Sequence, residues 1–280
     1  MAAGEWNFLT RKAKKMAKAH LLENKVAIVT GAGAGIGKAV ASEFAKEGAK
    51  VVIGELRPEV GEKTAKEIAK ETGMEVICVP TDVRKEEQII ALVKKTVEKF
   101  GRIDILVNNA AKILQRPVVE MTTEEYEEIM RNNCTSVVIC CREAAKQMIK
   151  QGKGGRIVNF SSIHAMISEP NCSAYTAAKG AIEAFSRTLA TELAPHKINV
   201  NCIEPGATYS ELTTPMYTKP VVDALFKRVP MKEIAQPEWI ARGVVFLASD
   251  DSRYMTGETL VMDGGYRMDG SLPGAAYWEE

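Results

Sequence analysis

Val26-Ala-Ile-Val-Thr30-Gly31-Ala-Gly-Ala-Gly35-Ile-Gly37 is the stretch that decides how the rest of the chain is read. An apolar, β-branched run ends at Thr30, glycines stand at 31, 33, 35 and 37, and a helical apolar pattern follows over 39–47. This predicts a strand, a tight turn and a helix. Glycine tolerates backbone angles that a Cβ excludes, so such a turn lets the chain approach a pyrophosphate at the helix's free N–H groups. The spacing is Gly-x-x-x-Gly-x-Gly from Gly31, because Ile36 fills the place where the commoner Gly-x-Gly-x-x-Gly ends. No Gly-Lys-Ser/Thr follows, which argues against a nucleoside triphosphatase.

Outward from this turn, short β-branched runs at 26–30, 51–54, 76–80, 103–107, 156–160, 198–203 and 259–262 read as strands. Amphipathic stretches at 39–47, 59–71, 86–100, 124–150, 173–193 and 236–248 read as helices. Strand–helix alternation with apolar strands implies a parallel sheet covered on both faces. The expected fold is α/β: one doubly wound (Rossmann) domain over 25–280, with a seven-stranded, mostly parallel sheet. Ligands of such sheets bind beyond the carboxyl ends of the strands. The polar and glycine signatures fall there: residues 31–37, Glu55, Asp82, Asn108-Asn109, Ser161-Ser162 and Pro205-Gly206.

Composition narrows the class. Apolar residues make up 46% and charged residues 26% of 280 residues, an ordinary globular profile, and a net charge of +1 suggests no nucleic-acid partner. No apolar run reaches the length of a membrane span. Six cysteines without a C-x-x-C pair or secretory signal read as reduced, mostly buried thiols in a cytoplasmic protein. His20, His164 and His196 lack metal-ligand spacing, so no metal is expected. Residues 1–24 form a basic extension, expected to pack on the domain or its partner.

Glu55 ends the second strand about 20 residues beyond the turn, where a carboxylate accepts hydrogen bonds from a ribose 2′-hydroxyl and repels a 2′-phosphate. NAD is therefore expected over NADP, with Arg57 as a residue that softens the choice if it turns inward. Tyr175 and Lys179 lie one turn apart on the 173–193 helix, where an ammonium can favour the phenolate. Ser162, upstream, can share a substrate oxygen with the phenol.

Taken in order, Thr30-Gly31-x-x-x-Gly35-x-Gly37, Asp82-Val83, Asn108-Asn109-Ala110, Ser162 and Tyr175-x-x-x-Lys179 resemble the short-chain dehydrogenase/reductase family over about 25–266. The resemblance implies metal-free hydride transfer between nicotinamide and an alcohol or carbonyl carbon. It makes Tyr175 the acid/base, Lys179 the residue that lowers its pKa and holds the nicotinamide ribose, and Ser162 the residue that positions the substrate oxygen. It makes Asn133 the support of a water chain to the lysine. The implied cofactor contacts are Gly31, Gly35, Ile36, Gly37, Glu55, Asp82, Val83, Asn109, Tyr175, Lys179, Pro205, Gly206 and Thr208. Two positions depart from the pattern: Ala111 stands where glycine is usual, and Ser210 where threonine is.

His164, followed by Glu169 and Asn171, gives the cleft mouth a polar set. With Ser162 and Tyr175 it forms the expected substrate contacts, and Ser-Ser-x-His resembles the glucose and aldose 1-dehydrogenases of the family. A sugar or polyol substrate is expected. A 3-oxoacyl-thioester reductase, a hydroxysteroid dehydrogenase and a non-catalytic dinucleotide-binding protein are the alternatives. The helices at 124–150 and 173–193 are expected to pair copies of the chain into dimers or tetramers, and the tail at 270–280 to reach a neighbouring subunit's cleft.

Overall fold

The protein is described by a computed structural model over residues 20–269. The 1–19 part of the basic extension and the 270–280 tail lie outside the described residues. Strand β1 (Val26–Thr30) is buried along its whole length, as a β-branched run flanked on both sides must be. It pairs in parallel with β2 (Lys50–Glu55) on one side and β4 (Ile105–Asn108) on the other. With β3 (Val76–Pro80), β5 (Gly155–Phe160), β6 (Ile198–Pro205) and β7 (Thr259–Met262), the order is β3-β2-β1-β4-β5-β6-β7. Every ladder is parallel.

The two-residue period of the strands divides the core in two. Ala27, Val29, Val51 and Ile53 face a layer formed by α1 (Gly35–Lys46), α2 (Pro58–Thr72) and α8 (Pro237–Ala248). Ile28, Val52, Leu106 and Ile157 face α3 (Glu86–Phe100), α5 (Ser136–Gln151) and α6 (Ser173–Leu193). Phe44 on α1 is fully buried in the first layer, and Leu22, ahead of the first strand, is buried there too. The packed chain therefore reaches back into the segment read as an extension.

Three differences from the sequence reading have physical reasons. The 124–150 pattern is helical throughout but widens midway. It is α4 (Thr123–Met130), a π turn at Arg131–Thr135, and α5, because a widened turn preserves the apolar stripe while inserting a residue. Strand β4 starts at Ile105, not 103; Ile103 is buried, but its N–H goes to Gln151 Oε1 at 2.8 Å. A short helix α7 (Lys219–Phe226), begun by Pro220, lies where no helix was expected. No helix among the described residues is long and apolar enough to cross a membrane.

Phe44 joins three elements in a close-packed layer, so Phe44→Ala is expected to lower unfolding free energy by about 3–5 kcal/mol. Urea denaturation of the two proteins measures this.

Candidate active site

The strand order reverses between β1 and β4, so the chain leaves these neighbours in opposite directions and a crevice opens above them. The glycine turn lies at that point. Gly31 and Gly35 hold φ of +63° and +56°, in the left-handed region. A Cβ on Gly37 would stand 2.4 Å from the Gly31 carbonyl oxygen and 2.5 Å from Asn109 Nδ2. Ala34, the residue before α1, offers no side-chain cap, so the first N–H groups of the helix have no side-chain acceptor. Uncapped donors beside a turn stripped of side chains fit a pyrophosphate.

Asn109 was expected to touch the cofactor, but its amide is committed to the turn. Nδ2 donates to the carbonyls of Thr30 and Gly31, both at 3.0 Å, and fixes the turn's shape from β4. Ile36 sits in the first turn of α1, half-buried against the core. Glu55 is 5% exposed, and accepts the Gly33 N–H at 3.0 Å and the Arg57 N–H at 3.2 Å. Gly33 cannot be larger, because a Cβ there would lie 2.8 Å from that carboxylate. Arg57 is held between Glu55 (3.4 Å) and Glu211 (2.9 Å). Asp82 is gripped by Arg84 Nε at 2.9 Å and Nη2 at 2.8 Å, hydrogen bonds that hold its carboxyl below the usual range.

At the other end of the crevice, Ser162, Tyr175 and Lys179 come together from β5's end and from α6. Ser162 Oγ accepts the His164 N–H at 3.2 Å and is hydrogen-bonded to the Tyr175 phenol. Lys179 is 3% exposed; its Nζ donates to the Phe160 carbonyl at 2.7 Å and lies 5.5 Å from the centre of the Tyr175 ring. All three groups line the same cleft as the glycine turn, Glu55, Val83 and Thr208, a cavity of about 810 Å³.

The electrostatics reverse one expectation. Burial pushes the Tyr175 phenol up to about 12, with the Ser162 hydrogen bond opposing it, whereas Lys179 was expected to bring it down. Lys179 itself is pulled to about 8, again by burial. Desolvation is the largest cause at both groups, and the protein holds a phenol at neutral pH. Such a group can give a proton to a carbonyl oxygen.

Asn133 stands behind the cleft. It is 1% exposed in the π turn, with Oδ1 accepting the Lys112 N–H and Nδ2 donating to the Lys112 carbonyl, each at 2.8 Å. It thus locks the wide turn to the segment after β4. Thr208 is buried beyond the Pro205-Gly206 turn, its N–H donating to the Tyr217 hydroxyl at 3.0 Å and its Oγ1 to the Gly206 carbonyl at 3.0 Å. His164 packs edge-on to Tyr175, ring centres 6.4 Å apart, with Nδ1 3.1 Å from Glu169 Oε2. Burial lowers its pKa and Glu169 opposes the shift. Tyr266 and Arg228 are among the cleft residues that the sequence reading did not single out. Tyr266 follows β7, and the Arg228 guanidinium lies 5.2 Å above its ring. No local pattern marks Tyr266, whose place depends on β7 pairing with β6.

A turn shaped for a pyrophosphate at one end of a crevice, and a hydroxyl, phenol and ammonium at the other, are the two halves of a dinucleotide-dependent oxidoreductase. The family described as enoyl-(acyl carrier protein) reductase matches residues 31–267. A short chain dehydrogenase/reductase, astE, from Aspergillus oryzae is 40% identical over 253 residues, 87% of this chain and 95% of that one. The 3-oxoacyl-[acyl-carrier-protein] reductase FabG of Chlamydia trachomatis is 36% identical over 88% of this chain and 98% of its own. Among solved structures, a 7α-hydroxysteroid dehydrogenase complexed with NADH and 7-oxo glycochenodeoxycholic acid superimposes with a TM-score of 0.86 at 30% identity, covering 89% of this chain and 97% of that one. A protein provisionally assigned as a gluconate dehydrogenase from Agrobacterium tumefaciens gives 0.85 at 31% identity, covering 91% and 99%. The chain belongs to the short-chain dehydrogenase/reductase family, and is an oxidoreductase of the kind that acts on CH–OH groups.

The depressed Lys179 has a pH signature. Between its folded value of about 8 and its ordinary 10.5, the unfolded chain binds the proton that the folded one has released, so stability rises with pH across that window. Lys179→Met removes the rise. Melting curves at about pH 8 and pH 10 should show wild type gaining on the variant as pH increases.

Proposed function

We propose that this protein is an NAD-linked dehydrogenase or reductase of a sugar or polyol, with Tyr175 as proton donor and acceptor. The observation that carries the substrate class is the His164–Glu169 pair, 3.1 Å apart and packed against Tyr175. A half-buried imidazole beside a carboxylate offers hydrogen bonds to hydroxyl groups and desolvates poorly against a bare acyl chain or steroid. The resemblance to a provisionally assigned gluconate dehydrogenase is consistent with this reading.

Bound at the glycine turn, the cofactor supplies the hydride acceptor or donor. The N–H groups opening α1 would hold its pyrophosphate, Glu55 would take the ribose hydroxyls, and Asp82 and Val83 would border the adenine end. Glu55 is the ground for NAD: its buried carboxylate would repel a 2′-phosphate, and Arg57, committed to Glu55 and Glu211, does little to soften that. Ser162 and Tyr175 grip the substrate oxygen from two sides. In reduction the Tyr175 phenol gives its proton to that oxygen as the carbonyl carbon is reduced; in oxidation it takes the proton back. Lys179 would hold the nicotinamide ribose. Asn133 fixes the wide turn beside Lys179, and Thr208 fixes the strand-end turn that would border the carboxamide.

The second reading is a 3-oxoacyl-thioester reductase. It is favoured by the similarity to FabG and by the apolar wall of Met216, Val221 and Leu225 in the cleft. We also read the chain as cytoplasmic, on its six free cysteines, and as self-associating, on exposed Tyr126 of α4 and Ile149 of α5.

Initial rates with aldoses, polyols and acetoacetyl thioesters, each with NAD and NADP, separate the readings. Turnover of a sugar or polyol is expected, with NAD preferred by about 100-fold or more from like-charge repulsion at Glu55. Thioester reduction without any sugar turnover would overturn the substrate. Tyr175→Phe should lower kcat by about 10²–10⁴-fold with the fold intact; unchanged activity would remove Tyr175 from the chemistry.

A further inference from the structure

Behind the Ser162–Tyr175–Lys179 set lies a second ionisable cluster that the hydride-transfer chemistry does not use. Glu204 is the second-last residue of β6, just before Pro205-Gly206, and its side chain is completely buried. Arg267, from the turn after β7, donates to Glu204 Oε2 at 2.6 Å. Glu204 Oε1, equally buried, meets no N–H or hydroxyl donor among the described residues. Another carboxyl, that of Glu183 on the facing helix α6, is among the groups that act on Glu204.

Glu183 is 7% exposed on α6, four residues after Lys179 on the same helix face. Its Oε1 accepts the Ser161 hydroxyl at 2.6 Å, and Ser161 Oγ also lies 3.3 Å from the Lys179 carbonyl. Ser161 is the neighbour of Ser162. Thus one acid is tied to the backbone that carries the serine and the lysine. The other is tied to the turn after β6 and, through Arg267, to the segment that carries Tyr266.

Two buried carboxylates in contact repel, and one arginine neutralises one of them at most. A single proton between them removes the repulsion and supplies the donor that Glu204 Oε1 lacks. We propose that Glu204 carries a proton on Oε1 and donates it in a hydrogen bond to Glu183, and that the resulting bridge is a positioning device that fixes the catalytic helix α6 against the end of β6. Glu183 and Glu204 are positioning residues; neither reaches the cleft lining. The charges around the bridge agree. Burial first, then the Glu183 contact, raise Glu204 to about 8; Asp263 adds to the rise and Arg267 opposes it. Cys202 of β6 feels both acids and Lys179, and burial holds it as a thiol up to about 12, so it contributes no competing charge.

The sign of the pH effect follows. A carboxyl whose folded value is about 8 and whose ordinary value is 4.5 binds more protons folded than unfolded between those limits. Stability therefore falls as pH rises from about 4.5 to 8, a window separate from that of Lys179.

The test uses the full-length protein and two variants. In Glu204→Gln, the amide donates to Glu183 and still accepts from Arg267, with no proton to lose. In Glu204→Ala, the bridge is gone. Infrared difference spectra of wild type between about pH 6.5 and 9.5 should show a protonated-carboxyl C=O band that disappears with rising pH and is absent from Glu204→Gln. The fall in Tm between about pH 5 and 8 should be flatter in Glu204→Gln. At neutral pH, kcat should drop about tenfold in Glu204→Ala and stay within about threefold of wild type in Glu204→Gln. Absence of the carboxyl band, or equal impairment by glutamine and alanine, would overturn the proposal. If the alanine variant does not fold, the band and the Tm profile of wild type and Glu204→Gln still decide it.

Discussion

The parallel sheet reverses its strand order between β1 and β4, and every part of the site inherits its place from that constraint. Parallel strands leave their carboxyl ends on one edge, and the reversal keeps the connecting helices from covering that edge at β1. The glycine turn fills the gap. Its shape is held from the neighbouring strand by Asn109, whose amide takes two turn carbonyls that would otherwise need water. The nucleotide end is thus closely packed: a methyl group on Gly37 would meet the Gly31 carbonyl and the Asn109 amide, and one on Gly33 the Glu55 carboxylate.

The reacting end is governed by desolvation more than by charge pairing. Lys179 is nearly inaccessible, and its strongest partner is a backbone carbonyl rather than a carboxylate. A carbonyl dipole stabilises an ammonium less than a full negative charge does, so burial wins and the lysine is pulled down. Tyr175 is pushed the other way by the same dry surroundings. Both shifts favour the neutral forms. What opposes the rise at Tyr175 is the hydroxyl of Ser162, which places weight on Ser162 in any proton transfer there.

The fold was legible because strands buried on both faces read as unbroken β-branched runs, and six of the seven ended in a glycine or polar signature. Val26–Thr30 and Thr259–Met262 were found to the residue. The π turn at Arg131–Thr135 was not, since a widened turn leaves the apolar stripe of 124–150 almost unchanged. The motif residues were legible by spacing, but their partners were not. Arg84 occupying Asp82 lies close in sequence and could have been suspected. Arg267, which reaches Glu204 from 63 positions away, could not. The sign of the Tyr175 shift failed for a related reason: helical spacing places the lysine beside the phenol but carries no information on how dry the pair becomes.

Substrate choice sits on the least anchored part of the molecule. Helix α7 buries none of its residues, and the segment before it is attached mainly by the hydrogen bonds between Tyr217 and Thr208. An element with so little buried apolar surface opens at low free energy. Met216, Val221, Leu225 and Arg228 all come from this segment or its ends, and face the cleft across from a catalytic floor that is almost wholly buried. The floor determines which bond is made and broken, because its groups cannot move without exposing or stranding a polar atom. The α7 segment can change sequence and position without disturbing them. Chemistry and wall are thus separately built: the reacting groups sit on buried strand ends and α6, while the α7 segment presents a face that can vary without disturbing them.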